Sequence, residues 1–294
     1  MTSTQPNHFA PQAFIHPGAR VHSSAIIDPF ATIYGNVEIG AGTHIGPNVV
    51  IYDGVTIGEN CHIMPNTTLS ANIGQLEFFR ESGPEEQMGR VLIGNGVHIE
   101  PCANIHGGIV IGDNCWIGSN CTIHDGARIS RNCKIFPGAV ISAIPQDLKF
   151  NGERTLLEIG ENTTIREFAT LNRGTEYHGK TVIGSNCLIM AYVHVAHDCI
   201  IGNHVVLVNS VNMAGHVEVD DYAIIGGMSG IHQFVKIGKH VMISGASVVR
   251  KDVPPYVKAG RDPVQYGGVN SIGLRRRGFS NETINRIQDI YRHI

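Results

Sequence analysis

Aromatic side chains are scarce in this 294-residue chain, at 6%, and charged ones make up only 16%, with a net charge of −3. The first scarcity argues against a core built on Phe, Tyr and Trp. The second excludes a strongly basic nucleic-acid binder and a highly charged disordered chain. No apolar run approaches the roughly 18 residues that a membrane helix needs, so no membrane span is expected. The start, MTSTQPNHFAPQAF, lacks a basic stretch followed by an apolar core, and a soluble cytoplasmic chain is expected from that. Glycine, by contrast, is plentiful at 35 residues, which points to many tight turns with small aliphatic fillers between them.

The aliphatics recur every six residues. One run goes from Ile15 through Val21 and Ile27 to Leu69, a second from Ile93 to Ile141, a third holds Ile159, Ile165 and Leu171, and the last runs from Ile183 to Val249. A helix cannot keep a strict six-residue repeat on one face, because its turn is about 3.6 residues. A strand alternates with period two, so a repeat of six requires the chain to bend at regular intervals. The motif reads Ile-Gly-x-Asn-x-x, as in Ile111-Gly112-Asp113-Asn114 and Ile183-Gly184-Ser185-Asn186. Gly and Asn tolerate the positive-φ conformations that a corner requires. Three sixes make one triangular coil with the aliphatic residue of each side pointing inward. The fold class is therefore an all-β solenoid, a parallel β-helix of hexapeptide repeats over 1–256. At about 4.8 Å between neighbouring strands, some eleven coils make a prism roughly 50 Å long.

Six of the seven cysteines (Cys61, Cys115, Cys121, Cys133, Cys187 and Cys199) occupy the fifth place of the hexad, where a small buried residue is wanted. Buried cysteine behaves as a small hydrophobe, no zinc-type spacing appears, and no metal is expected. The coils break at 70–92, 142–158 and 172–181, always returning in phase, and such excursions on a rigid scaffold are where ligands are gripped. The first two breaks are alike in sequence, which suggests an internal duplication. Proline at Pro254 and Pro255 stops the coil, since it cannot donate to a strand ladder. The extension at 257–294 holds one expected helix, with Ser280 as N-cap and Ile284, Ile287, Ile290 and Tyr291 on one face.

The segment His194-Val195-Ala196-His197-Asp198 is the first candidate for chemistry. A neutral histidine serves as a general base near pH 7, and a carboxylate beside it can orient it. Asp198 need not be that carboxylate, because neighbours on a strand point to opposite sides. With eighteen residues to a coil, Gly215 stacks on His197 and Gln233 on Gly215, with His216 and His232 alongside. The chain has 16 histidines, and His22, His44, His98, His124, His204 and His240 read as ordinary surface residues. Spacing alone leaves the cluster open between that reading and a functional one.

From about Ile135 onward the chain resembles the UDP-N-acetylglucosamine 3-O-acyltransferases that begin lipid A synthesis. The resemblance rests on IPQDLKF (144–150), IREFATLNRGT (165–175), HVAHDC (194–199), MAGHVEVDDYAIIGGM (213–228), IHQF (231–234), DVPPY (252–256) and GLRRRGFS (273–280). It implies a left-handed helix, a homotrimer with sites between subunits, and transfer of a 3-hydroxyacyl chain from acyl carrier protein. It also implies that His197 is the base for the sugar 3-hydroxyl, the Gly215 N–H the oxyanion donor, and Asp147 the group that holds the sugar. Gln146, Lys149, His194 and His216 would assist Asp147. His232 and Gln233 would contact the nucleotide or the acyl-pantetheine arm, and Asn270, Arg276 and Arg277 the diphosphate and nucleotide end. Gly245, with Met242 nearby, matches the place where the family sets acyl length. No cofactor is implied beyond the 4′-phosphopantetheine carried by the donor.

The N-terminal solenoid is longer than the family's and the C-terminal helical region shorter. The first excursion has Gln75-Leu76-Glu77 where the second has Gln146-Asp147-Leu148, so no second active site is read there. Cys199 faces inward by its hexad place and is not read as a nucleophile. Three competing readings are an acyltransferase acting on a nucleotide amino sugar, a trimeric zinc hydratase, and a non-enzymatic binding or scaffold relative. The joint presence of IPQDLKF, HVAHD and GLRRRGFS separates the first. The His194/His197 pair does not supply the three histidines the second needs. Intact His197, Asp147 and Gly215 argue against the third.

Overall fold

The computed structural model describes residues 8–70 and 89–293. Within them the chain winds as a left-handed parallel β-helix whose short strands fall into three sheets of 14, 12 and 11 strands, here sheets 1, 2 and 3. The chain visits them in that order once per coil. Each strand pairs in parallel with its counterpart one coil on, as His194 does with Asn212 and Asn212 with Gly230. The hexad aliphatics Ile117, Ile123, Ile189, Val195 and Leu207 are fully buried inside the prism. Burying each such side chain stabilises by about 1.5–3 kcal/mol. The fifth place is filled by small residues, and the six cysteines expected there are buried while Cys102 is exposed.

The corners separate the two roles in the Ile-Gly-x-Asn motif. Asn114 and Asn186 do adopt positive φ, at 56° and 58°. The glycine serves a different end from the one expected. A Cβ on Gly112 would lie 2.6 Å from the Arg131 nitrogen, and one on Gly184 would lie 2.4 Å from the Gly202 oxygen. Glycine is needed there because successive coils nearly touch.

All three excursions leave from the corner between sheets 2 and 3. Strands end at Leu69, Ala143 and Asn172 and resume at Val91, Leu156 and Lys180. The second and third are therefore narrower than 142–158 and 172–181. Most of the first, including Gln75, Leu76 and Glu77, lies outside the described residues, as does Ile294. Sheet 1 runs on past residue 256. Val257–Gly260 pairs in parallel with Met242–Ile243 and antiparallel with Gln265–Val269. Two helices follow rather than one: α1 (Ser271–Arg276) and α2 (Asn281–Arg292). α1 escapes a periodicity reading because its 6 residues make fewer than two turns and include Gly273. Ser280 caps α2 as expected, its hydroxyl accepting from the Thr283 N–H at 3.1 Å. Ile284 is buried, Ile287 and Tyr291 pack beside it, and Ile290 faces outward. Among the described residues no helix is long and apolar enough to cross a membrane.

Candidate active site

His197 and Asp198 sit together on the sheet 2–3 corner. Asp198 takes the fourth hexad place, with φ of 59°, so the chain is turning there rather than running as a strand. That turn overrides the strand alternation used to discount it, and its carboxylate accepts a hydrogen bond from His197 Nδ1 at 2.8 Å. Both side chains are buried. Three more donors reach the same carboxylate: Thr175 Oγ1 at 2.6 Å, the Thr175 N–H at 3.0 Å and the His178 N–H at 3.2 Å. Burial alone would raise the Asp198 carboxyl, but these bonds outweigh it and hold it below the usual aspartate range. An ionised carboxylate can only accept, so Nδ1 of His197 carries the proton and Nε2 presents its lone pair.

Gly215 packs directly on that ring, as the coil register predicts. A Cβ there would stand 2.6 Å from His197 Cε1 and 2.7 Å from Nε2. Among the described residues no acceptor takes the Gly215 N–H. The His216 ring meets the His197 ring edge-on at 5.0 Å and is boxed by Tyr177 at 4.8 Å and Phe234 at 4.7 Å. Burial pushes the His216 imidazole below its ordinary value, opposed by the charges of Asp198 and Asp147. Its Nδ1 is buried with no partner. His197, Asp198 and His216 bring one ligand-type atom each within 4.8 Å of one another. The four donors already on the Asp198 carboxylate occupy about all the lone-pair sites it has, so the trio fits a hydrogen-bonded dyad and not a metal seat. The Cys199 thiol is buried, donates to the Ala214 carbonyl at 3.2 Å, and is pushed up to about 12 by burial, which rules against a nucleophile.

The remaining candidates are spread over all three corners. Gln146, Asp147 and Lys149 lie in the second excursion, with Asp147 Oδ1 accepting from the Lys149 N–H at 3.0 Å and its charge felt at His216. His194 faces outward from sheet 2, its Nδ1 2.8 Å from Thr170 Oγ1, and burial lowers its basicity. His232 and Gln233 are exposed one coil beyond Gly215. Gly245 is exposed at the sheet 1–2 corner, and Met242 lies on the sheet 1 strand leading into it. Arg277 stacks on Tyr222 at the sheet 3–1 corner, 5.2 Å from the ring, and Arg276 is exposed beside it. Asn270 is the N-cap of α1; its Oδ1 accepts from the Gly273 N–H at 3.2 Å and its Nδ2 donates to the His240 carbonyl at 3.0 Å. Both its polar atoms are engaged within the chain.

Sequence reasoning missed Asp198, Thr175 and His178. The first was legible from its hexad place, three residues after Val195, a place that holds positive-φ Asn in other hexads, as at Asn114 and Asn186. The other two lie in an excursion without a period, where no spacing rule applies.

Residues 252–294 match the family described as UDP N-acetylglucosamine O-acyltransferase, domain 2. The bacterial transferase hexapeptide family matches 18–52, 39–71, 108–143 and 180–215. A curated acyl-[acyl-carrier-protein]–UDP-N-acetylglucosamine O-acyltransferase from Verminephrobacter eiseniae is 52% identical over 160 residues, 54% of this chain; the match spans 61% of that relative's length. A solved UDP-N-acetylglucosamine acyltransferase from Francisella novicida is 33% identical, with a TM-score of 0.62, covering 96% of this chain and 78% of its own. One from Arabidopsis is 30% identical, with a TM-score of 0.64 and coverages of 97% and 82%.

Proposed function

The chain belongs to the UDP-N-acetylglucosamine acyltransferase family, and on that footing we propose that it moves a 3-hydroxyacyl chain from acyl carrier protein to the 3-hydroxyl of UDP-N-acetylglucosamine, the first step of lipid A biosynthesis. It would do so in the cytoplasm as a homotrimer, with no resident cofactor, the donor bringing its own 4′-phosphopantetheine.

The observation that carries the reading is the orientation of His197, with Nδ1 tied to Asp198 and Nε2 free beside Gly215. Nε2 takes the proton of the sugar 3-hydroxyl as its oxygen attacks the thioester carbonyl. Charge develops on the former carbonyl oxygen, where the unpartnered Gly215 N–H is the natural donor. Collapse expels the pantetheine thiolate, which recovers the proton from the imidazolium. The thioester is already activated, so positioning and a base suffice and no covalent enzyme intermediate is required. Asp147 holds the sugar, assisted by Gln146, Lys149, His194 and His216. His232 and Gln233 meet the nucleotide or the pantetheine arm.

The trimer is supported by the three-corner distribution. His197, Gly245 and Arg277 lie on different corners of one prism, so a single chain cannot close them on one substrate, whereas neighbouring subunits can. In that arrangement Gly245 and Met242 measure the acyl chain, and Arg276 and Arg277 receive the diphosphate and nucleotide, arginine being suited to bidentate phosphate contact, while Asn270 caps the helix that carries them.

The test is acyl transfer from a panel of 3-hydroxyacyl carrier proteins to UDP-N-acetylglucosamine, with His197→Ala alongside. Turnover that vanishes in the variant is expected. No turnover by a folded wild-type trimer, or equal turnover in the variant, would sink the reading.

A further inference from the structure

Three of the four donors on the Asp198 carboxylate come from one short excursion, 173–179, and only the fourth is His197 itself. The excursion is built stiffly around that task. The Gly179 N–H donates back to the Thr175 carbonyl at 2.8 Å, closing the loop. Gly174 can carry no side chain, because a Cβ there would lie 2.4 Å from the Lys180 nitrogen. Just past it, on the strand Lys180–Ile183, Thr181 Oγ1 accepts the Asp198 N–H at 2.8 Å. The excursion therefore grips Asp198 by both carboxylate oxygens, and the strand that follows it holds the Asp198 backbone.

The two oxygens are held differently. Oδ1 accepts from two backbone amides, those of Thr175 and His178, which no side-chain change removes. Oδ2 is shared between Thr175 Oγ1 at 2.6 Å and His197 Nδ1 at 2.8 Å. Oδ1 is thus a pivot, and the Thr175 hydroxyl fixes where Oδ2 stands as the carboxylate turns about it. Where Oδ2 stands decides where the His197 ring points.

We propose that Thr175 is a positioning residue of this site, its hydroxyl locking the Asp198 carboxylate in the rotation that presents His197 Nε2 to substrate. The rate effect rests on the acyl-transfer reading; the effect on the carboxylate does not. The titratable groups around this carboxylate are His197, His216 with Nε2 4.0 Å away, His178 and Tyr177 on the excursion, and Cys199 behind it, with Asp147 acting on His216. None of the others supplies a side-chain hydroxyl donor to Oδ2.

Thr175→Val keeps the branched shape and removes the hydroxyl. Losing one bond to a charged group should lower kcat by roughly tenfold or more while leaving KM for both substrates within about twofold. The carboxyl of Asp198 should titrate at higher pH, since a donor that favours its ionised form is gone. That midpoint is read by carbon NMR on protein labelled at the aspartate carboxyls, the Asp198 signal being the one lost in Asp198→Asn. Thr175→Ser restores the donor and should restore both readouts. A Thr175→Val protein with wild-type kcat and a wild-type Asp198 midpoint would overturn the proposal, as would a folded Thr175→Ser protein that rescues neither. A carboxyl midpoint that moves as expected in a chain with no acyl transfer would uphold the positioning role and overturn the acyl-transfer reading alone.

Discussion

Gly215→Ala adds one methyl group to the site and removes no donor, acceptor or charge. Its Cβ would stand 2.6 Å from His197 Cε1 and 2.7 Å from Nε2, whereas carbon contacts settle at about 3.5 Å. The ring must therefore retreat by about 0.9 Å. It has little room to do so, being buried, tethered to Asp198 at 2.8 Å and backed by the His216 ring at 5.0 Å. A retreat of that size either stretches the tether beyond a hydrogen bond or swings Nε2 off the corner. A misplacement of about 1 Å in a reacting group lowers the rate by roughly a hundredfold, so kcat for acyl transfer should fall by about that factor. KM should change little, because the groups proposed to hold the sugar and nucleotide are elsewhere. The Gly215 N–H remains in place, so the loss belongs to His197 and not to the oxyanion donor. Steady-state kinetics at saturating substrate, with a thermal melt to show an intact fold, make the measurement. A folded variant with kcat within threefold of wild type would refute the stacking argument.

Two further expectations rest on other parts of the molecule. At Gly245 a new Cβ would meet nothing closer than the Gly227 oxygen at 3.2 Å, so Gly245→Met should fold and fill the open space outside the corner. The preferred acyl donor on a chain-length panel should become shorter; an unchanged preference would remove Gly245 from the acyl path. At Asp198 the folded carboxyl lies below its ordinary value because its hydrogen bonds outweigh burial. The stability it contributes is complete above the unfolded value of about 3.9 and is lost as pH falls through the depressed folded value. Denaturation at pH 6 and pH 3 should show a smaller acid loss in Asp198→Asn than in wild type, and equal losses would contradict the assignment.

The coil architecture was legible because a six-residue period has few physical solutions, and the phase held across every break. Inward Ile117 and Val195, the buried cysteines and the stacking of Gly215 on His197 all follow from that arithmetic. What the period could not convey is what happens where it lapses. The alternation rule for strands discounts Asp198 although its hexad place is a turn, and the turn is what lets neighbouring residues face each other. Thr175 and His178 belong to an excursion with no repeat to count along. The glycine of the motif was credited with a corner conformation, yet at Gly112 and Gly184 its service is to let backbones meet. That contact lies between coils eighteen or more residues apart, where local propensity has nothing to say.

The N-terminal half offers an internal comparison that isolates what makes the dyad. It too has a histidine followed by aspartate on the sheet 2–3 corner, His124 and Asp125, two coils beyond the first excursion. There the pair comes one residue earlier in the hexad, and Gly126 takes the positive-φ place, at 82°, that Asp198 holds in the other half. Without that turn the Asp125 carboxylate points away from its neighbour and pairs with Arg173 Nη1 at 2.5 Å. His124 packs instead against His106, the rings tilted at 48° with centroids 4.5 Å apart. Burial drives His124 down to about 4, helped by the neighbouring His106 and opposed by Asp125, so near neutral pH it is an uncharged imidazole with no carboxylate to orient it. Arg173 and Thr175 arise two residues apart on the same excursion, one engaging Asp125 and the other Asp198. A single strap thus ties down the carboxylate of both pairs. One of them is left beside its histidine because its aspartate falls where the chain turns.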